Sequence, residues 1–86
     1  MTAAFWVDLL GWAGALLVVA AYALVSARRV HGDSRLYQLM NLAGGVLVLV
    51  NAAYHGALPS AFINVVWIAI ALGALWRIGR LKGRAP

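Results

Sequence analysis

The longest stretch without a formal charge runs from Leu36 to Trp76, where 41 consecutive residues include no Asp, Glu, Lys or Arg. A helix needs about 20 mostly apolar residues to cross a bilayer, so this stretch is long enough for two crossings. It is interrupted by the segment HGALPS at 55–60, whose glycine and proline indicate a turn. We therefore predict two membrane-spanning helices, at about 36–54 and 61–76.

A third apolar stretch precedes them, from Phe5 to Ser26, and Asp8 is its only charged residue. At about 1.5 Å per residue it is long enough to cross a hydrocarbon core of about 30 Å. The residues before it include no Lys or Arg, whereas a secretory signal peptide begins with a basic segment. We expect a permanent first span at about 5–26. The stretches are too long for barrel strands and do not alternate as barrel strands do.

The amino-acid composition indicates that this chain resides in a lipid bilayer and not in water. Hydrophobic residues make up 65% of the 86 residues and charged residues only 10%, whereas about a quarter of the residues of soluble domains are charged. So small a chain could not hide that much apolar surface from water, and it is too apolar to be disordered. We predict an all-α membrane protein, with residues 1–86 forming one three-helix transmembrane domain that ends in a basic tail at 77–86.

The seven Lys and Arg residues are confined to two segments. Three arginines lie in the loop 27–35 and the other four basic residues lie in the tail 77–86, while the turn 55–60 and the N-terminus have none. Positively charged segments stay on the cytoplasmic side of a membrane. We predict a multi-pass protein of the cell (inner) membrane, with its N-terminus outside and its C-terminus in the cytoplasm. Because the basic clusters are accounted for by membrane anchoring, we expect no nucleic-acid partner.

Each predicted span has one stripe of small and polar residues at helical spacing. Polar groups are costly in lipid, so these stripes are expected to face a partner. Small residues and amides can simply hold helices together. They can also line a polar cleft between two copies of the chain, and three asparagines in so short a chain favour the cleft. The stripe of the first span is Asp8, Gly11, Ala15, Val19 and Tyr22. The stripe of the second is Tyr37, Asn41, Gly44, Val48 and Asn51, and that of the third is Asn64, Trp67 and Ala71.

The candidate substrate site is a ladder of these polar groups facing the axis of a dimer. Asp8, Asn51 and Asn64 are expected at similar depth near the outer face, and Asn41 deeper on the same face as Asn51. A few polar groups beside an aromatic wall suit a small polar ligand. The alternative is that the amides only hold helices together, and that Tyr54 is an interface anchor. The candidate residues are Asn64, Asn51, Asn41, Trp67, Asp8 and Tyr54.

Little in the sequence indicates a catalytic or metal-binding site. Cysteine is absent, and His31 and His55 both fall in predicted loops. Neither of the serines at the ends of the predicted spans has a residue nearby that could act as its general base, so no nucleophile–base pair is evident. We expect no enzymatic activity, no cofactor and no metal site.

Most of the chain resembles a known family. Tyr54-x-Gly56, then Pro59, then Asn64 is similar to the end of helix two and the start of helix three in SemiSWEETs, the bacterial half-transporters of the PQ-loop (MtN3) clan. The basic loop before the second span is also similar, and the chain looks closest to uncharacterised small three-helix members. The resemblance implies a bacterial inner-membrane protein in which helix three lies between helices one and two. It also implies a parallel homodimer in which Asn64 contacts the sugar.

Two functions remain open. The first is a transporter for a sugar-like or other small polar solute that works as a homodimer. The second is an accessory or structural subunit of a larger membrane complex. The asparagine stripes and the resemblance favour the first. The second is favoured by two departures from the clan pattern: the first span lacks its Pro-Gln pair, and Asn51 stands where the clan has a tryptophan three residues before Tyr54.

Overall fold

The computed structural model describes residues 2–84, and side chains as far as residue 80. The chain forms three helices, α1 (Ala3–Ser26), α2 (Arg35–Tyr54) and α3 (Leu58–Arg84). Each is long and apolar enough to cross a membrane, over Ala3–Ser26, Arg35–Tyr54 and Leu58–Arg80. The Cα trace is elongated, measuring 52 × 24 × 22 Å. The prediction of an all-helical protein with three apolar helices of membrane-spanning length is confirmed.

Local sequence signals fix the beginnings of the first two helices. The hydroxyl of Thr2 accepts a hydrogen bond from the backbone N–H of Phe5 at 3.2 Å. Ser34, which the sequence suggests as a cap, accepts one from the N–H of Tyr37 at the same distance. These hydroxyls satisfy backbone N–H groups that a helix leaves without internal partners.

The turn between α2 and α3 is shorter than the predicted interruption. His55 caps α2, and Gly56 follows with a φ of +69°, a left-handed conformation that glycine adopts without steric cost. The new helix begins at Leu58, three residues before the predicted start of the third span. Pro59 therefore occupies the first turn, where a missing backbone N–H removes no helical hydrogen bond.

The third helix also continues beyond its predicted end. The segment expected as a basic tail at 77–86 is helical as far as Arg84, and its last two residues lie outside the described part of the chain. Arginine and lysine are good helix formers, so basic residues at the membrane surface need not end a helix. The guanidinium of Arg80 also lies 4.9 Å from the ring centre of Trp76, one turn earlier, in a cation–π contact.

The middle helix of the sequence is also the middle helix of the fold. Helix α2 packs against both α1 and α3, whereas no Cα atom of α1 lies within 8 Å of a Cα atom of α3. The implication of the SemiSWEET resemblance, that helix three lies between helices one and two, is therefore wrong. Short connections instead make sequence neighbours into spatial neighbours.

The two flanking helices pack against α2 at two adjacent glycines. A Cβ atom added to Gly44 would lie 2.8 Å from the carbonyl oxygen of Gly14 on α1. One added to Gly45 would lie 3.1 Å from Cγ1 of Ile68 on α3. Successive residues of a helix point about 100° apart, so α1 and α3 lie on different sides of α2. The buried positions are otherwise alanines and Asn41, as is usual where membrane helices approach closely.

Candidate functional site

Three polar side chains meet where the start of α1 lies beside the end of the antiparallel α2. The side-chain amide of Asn51 donates from Nδ2 to the carbonyl oxygen of Val7 at 3.1 Å and to Oδ1 of Asp8 at 3.3 Å. Nε2 of His55 lies 2.7 Å from the same Oδ1 atom. These contacts join the two helices at the end opposite their connecting loop.

His55 is the member of this cluster that the sequence analysis missed. The sequence predicts a loop at this position, whereas the residue caps α2 one turn after Asn51, so the two side chains share a face. That spacing, combined with an antiparallel pair of helices, is the signal that could have found it. The side chains of His55 and Asp8 are 44% and 53% exposed, so the cluster is open to its surroundings.

A groove begins at this cluster and continues between α1 and α2. Its volume is about 490 Å³. Gly11 leaves room for the side chain of Asn51, whose Nδ2 would lie 2.6 Å from a Cβ atom added to the glycine. The groove therefore combines a carboxylate, an amide and an indole with small apolar walls. It is lined by Asp8, Gly11, Trp12, Ala15, Val48 and Asn51.

A second groove, of about 200 Å³, lies between α2 and α3. Asn41 lies in its wall and is only 6% exposed. No hydrogen bond joins the Asn41 side chain to another residue within 2–80, where side chains are described. Over those residues no polar side-chain atom is both sealed from solvent and without a partner, so the Asn41 amide opens into the groove. The lining residues are Tyr37, Gln38, Asn41, Trp67, Ile70 and Ala71.

The other two candidate residues line neither groove. Nδ2 of Asn64 donates to the carbonyl oxygen of Ser60, one turn earlier in the same helix, at 2.8 Å. The Tyr54 ring is exposed and packs edge-to-face against the His55 ring, with 5.2 Å between ring centres.

The six candidates therefore do not form one ladder within the protomer. The structure brings Asp8 together with Asn51, and Asn41 together with Trp67, in separate grooves. Ten residues separate Asn41 from Asn51, which turns their side chains about 80° apart around α2 at 3.6 residues per turn. That rotation directs one amide toward α3 and the other toward α1.

The described residues include no group of three His, Cys, Asp or Glu side chains that could hold a metal ion. The residues that line the two grooves offer hydrogen bonding, aromatic contact and, at Asp8, negative charge.

Comparison with known proteins gives one match. No curated protein and no solved structure matches the chain significantly, and nothing found links it to the SemiSWEETs or the PQ-loop clan. The model of one uncharacterised protein family matches residues 7–83, which include α2 entirely and most of α1 and α3. Because this match covers most of its length, the chain belongs to that uncharacterised family.

Proposed function

We propose that this three-helix membrane protein binds a small polar solute, sugar-like or another polar metabolite, and passes it across the membrane as a homodimer. The observation that carries the proposal is the side chain of Asn41, which is 6% exposed, opens into the α2–α3 groove and has no hydrogen-bond partner within residues 2–80. No chemical step is required of the chain.

The groove offers what a small polar solute needs. A carboxamide supplies two N–H donors and a carbonyl acceptor, so Asn41 could bond both to hydroxyl donors and to acceptors. Trp67 and Tyr37 add aromatic surface beside it. Ligand sites typically combine a few placed polar groups with apolar and aromatic walls. Because the amide opens into the groove, a solute placed there can reach it to form hydrogen bonds.

The size of the groove supports a second copy of the chain. Its volume of about 200 Å³ is below the range of about 300–1,000 Å³ that is usual for small-molecule sites. Beside the groove, Ile63, Trp67 and Ile70 form an exposed apolar stripe on α3, with exposures of 61%, 44% and 59%. Their spacing of four and three residues places them on one helix face. A second copy packed along this stripe would complete the walls around Asn41.

An accessory subunit of a larger membrane complex is the second candidate, and the same stripe favours it. A helix from a different protein could cover Ile63, Trp67 and Ile70 and could bond to Asn41 directly. In that case the groove would be a docking surface and would take up no solute. The two functions differ in whether the isolated chain self-associates and whether it binds small molecules.

A ligand screen on the purified protein tests the proposal. A polar solute at about 100 times its dissociation constant stabilises the folded state by about 2.7 kcal/mol. At least one solute from a panel of sugars, amino acids and metabolites should therefore raise the melting temperature of the protein. Asn41→Leu keeps the branched shape of the side chain and removes the amide, so the shift should disappear. Asn64→Leu is the matched control and should keep it, because Asn64 bonds within its own helix outside the groove. A panel without any shift, or a shift that survives Asn41→Leu, would contradict the proposal.

A further inference from the structure

Asp8 is the only acidic residue within the three helices, since the other, Asp33, lies in the loop before α2. Its side chain is 53% exposed and lines the α1–α2 groove. Both contacts that it receives from other side chains, from Asn51 and from His55, go to Oδ1. Within residues 2–80, the second oxygen, Oδ2, accepts no hydrogen bond from a side chain and remains available to a ligand.

Among the side chains described, as far as residue 80, the basic one in contact with Asp8 is His55, which carries a positive charge only when it is protonated. The amide of Asn51 is neutral. The arginines of the 27–35 loop lie at the other end of α2, about 30 Å away along a helix of 20 residues. Arg77 and Arg80 lie near the far end of α3. The groove therefore has an anionic end in a chain whose net charge is +5.

An indole lies one turn from the carboxylate. Trp12 follows Asp8 by four residues, lines the same groove and is 71% exposed. Tryptophan is the best aromatic partner for a cation, within about 6 Å of its ring centre. The small side chain of Ala15 lies in the wall of the same groove and adds an apolar surface beside the indole.

From this arrangement we infer that the α1–α2 groove binds an alkylammonium group, held by the carboxylate of Asp8 and the indole of Trp12. Asp8 lies five residues after the start of α1, which corresponds to a depth of about 8 Å along the helix. At this depth the group can come from a free organic cation or from the headgroup of a phosphatidylcholine or phosphatidylethanolamine lipid. The site shares no residue with the α2–α3 groove, so it does not depend on the proposed solute site.

The test uses choline as the probe and the tryptophan side chains as reporters. The full chain, labelled with ¹⁵N-tryptophan in a non-ionic detergent, has four indole N–H groups, and Trp12→Phe identifies the one of interest. Choline chloride, added against matched sodium chloride, should shift the Trp12 signal saturably and leave that of Trp6 unchanged. The uncharged isostere 3,3-dimethyl-1-butanol should cause no saturable shift.

Substitutions separate the ion pair from non-specific binding. Asp8→Asn should weaken choline binding at least ten-fold, whereas Asn41→Leu should leave it unchanged. An equal response to choline and to its uncharged isostere would overturn the inference, and so would binding that survives Asp8→Asn. If Asp8→Asn does not fold, the comparison of the two probes on the unaltered chain decides the question alone.

The source of the ammonium group is decided in lipid nanodiscs. If a lipid headgroup is the ligand, choline should shift the Trp12 signal in phosphatidylglycerol nanodiscs but not in phosphatidylcholine nanodiscs, where the site is already filled. If a free cation is the ligand, the shift should occur in both. The absence of a saturable shift in detergent and in phosphatidylglycerol nanodiscs would contradict both forms of the inference.

Discussion

Nε2 of His55 lies 2.7 Å from Oδ1 of Asp8, although 47 positions separate the two residues in the sequence. The contact joins the end of α2 to the beginning of α1, opposite the loop that connects these helices. Asn51 adds two further hydrogen bonds, to Asp8 and to the carbonyl oxygen of Val7. Both ends of the α1–α2 pair are therefore fixed, one by the chain itself and the other by polar side chains.

We expect the Asp8–His55 contact to make a small but measurable contribution to stability. Both side chains are about half exposed, so a coupling energy of about 0.2–1 kcal/mol is expected, as for other exposed pairs. A double-mutant cycle with Asp8→Ala and His55→Ala, measured by reversible unfolding in mixed micelles, gives this value. Strictly additive effects would mean that the two side chains do not interact.

The close approach of α1 and α2 should not tolerate a methyl group at Gly14. A Cβ atom there would lie 2.7 Å from Cβ of Leu47 and 2.8 Å from the carbonyl oxygen of Gly44, so the helices would have to separate. We expect Gly14→Ala to lower the free energy of unfolding by about 1–3 kcal/mol.

Gly73 provides the matched control, because a Cβ atom added there has nothing within 4 Å. Alanine has the higher helix propensity, so Gly73→Ala should be neutral or stabilising by up to about 1 kcal/mol. Equal losses of stability at positions 14 and 73 would contradict the packing described for α1 and α2.

Self-association along the exposed stripe of α3 can be tested by disulfide crosslinking. The chain has no cysteine, so a single Ile70→Cys substitution reports on this face alone. In a parallel homodimer it should crosslink in native membranes to a species of about twice the monomer mass. Leu72→Cys lies at nearly the same depth, on the opposite side of the helix, and should remain monomeric. Crosslinking at neither position would favour the accessory-subunit alternative, and equal crosslinking at both would contradict association along this stripe.

The orientation in the membrane is a prediction from the basic segments and is tested by thiol labelling. A cysteine at Ala57, in the turn without Lys or Arg, should react in intact cells with a reagent that does not cross membranes. A cysteine at Gly32, in the loop with three arginines, should react only after the cells are opened. Labelling of position 32 from outside would refute the orientation with the N-terminus outside.

The helices could be predicted from the sequence, but their arrangement could not. Apolar length, the Gly56–Pro59 turn and the Ser34 cap are local signals, and the structure has helices close to where they indicate. Which helix packs on which depends on the direction of neighbouring residues such as Gly44 and Gly45. In a membrane protein both lipid and partner helices accept apolar surfaces, so hydropathy does not distinguish them.

The candidate site was predictable in residue type and not in grouping. Asparagines at helical spacing indicate polar faces, but the spacing from Asn41 to Asn51 accumulates about 80° of rotation around α2, enough to divide them between two grooves. The contact between His55 and Asp8 could not be predicted, because His55 follows the last apolar turn of α2. It contacts Asp8 only because α1 lies antiparallel beside α2.

The most direct test of the proposed function is uptake by liposomes that contain only this protein. With a panel of labelled sugars, amino acids and metabolites, we expect at least one polar solute to enter faster than in protein-free liposomes. Asn41→Leu should abolish that uptake, while Asn64→Leu should preserve it. Absence of uptake for every solute by correctly folded protein, or uptake that is unchanged in Asn41→Leu, would contradict the account.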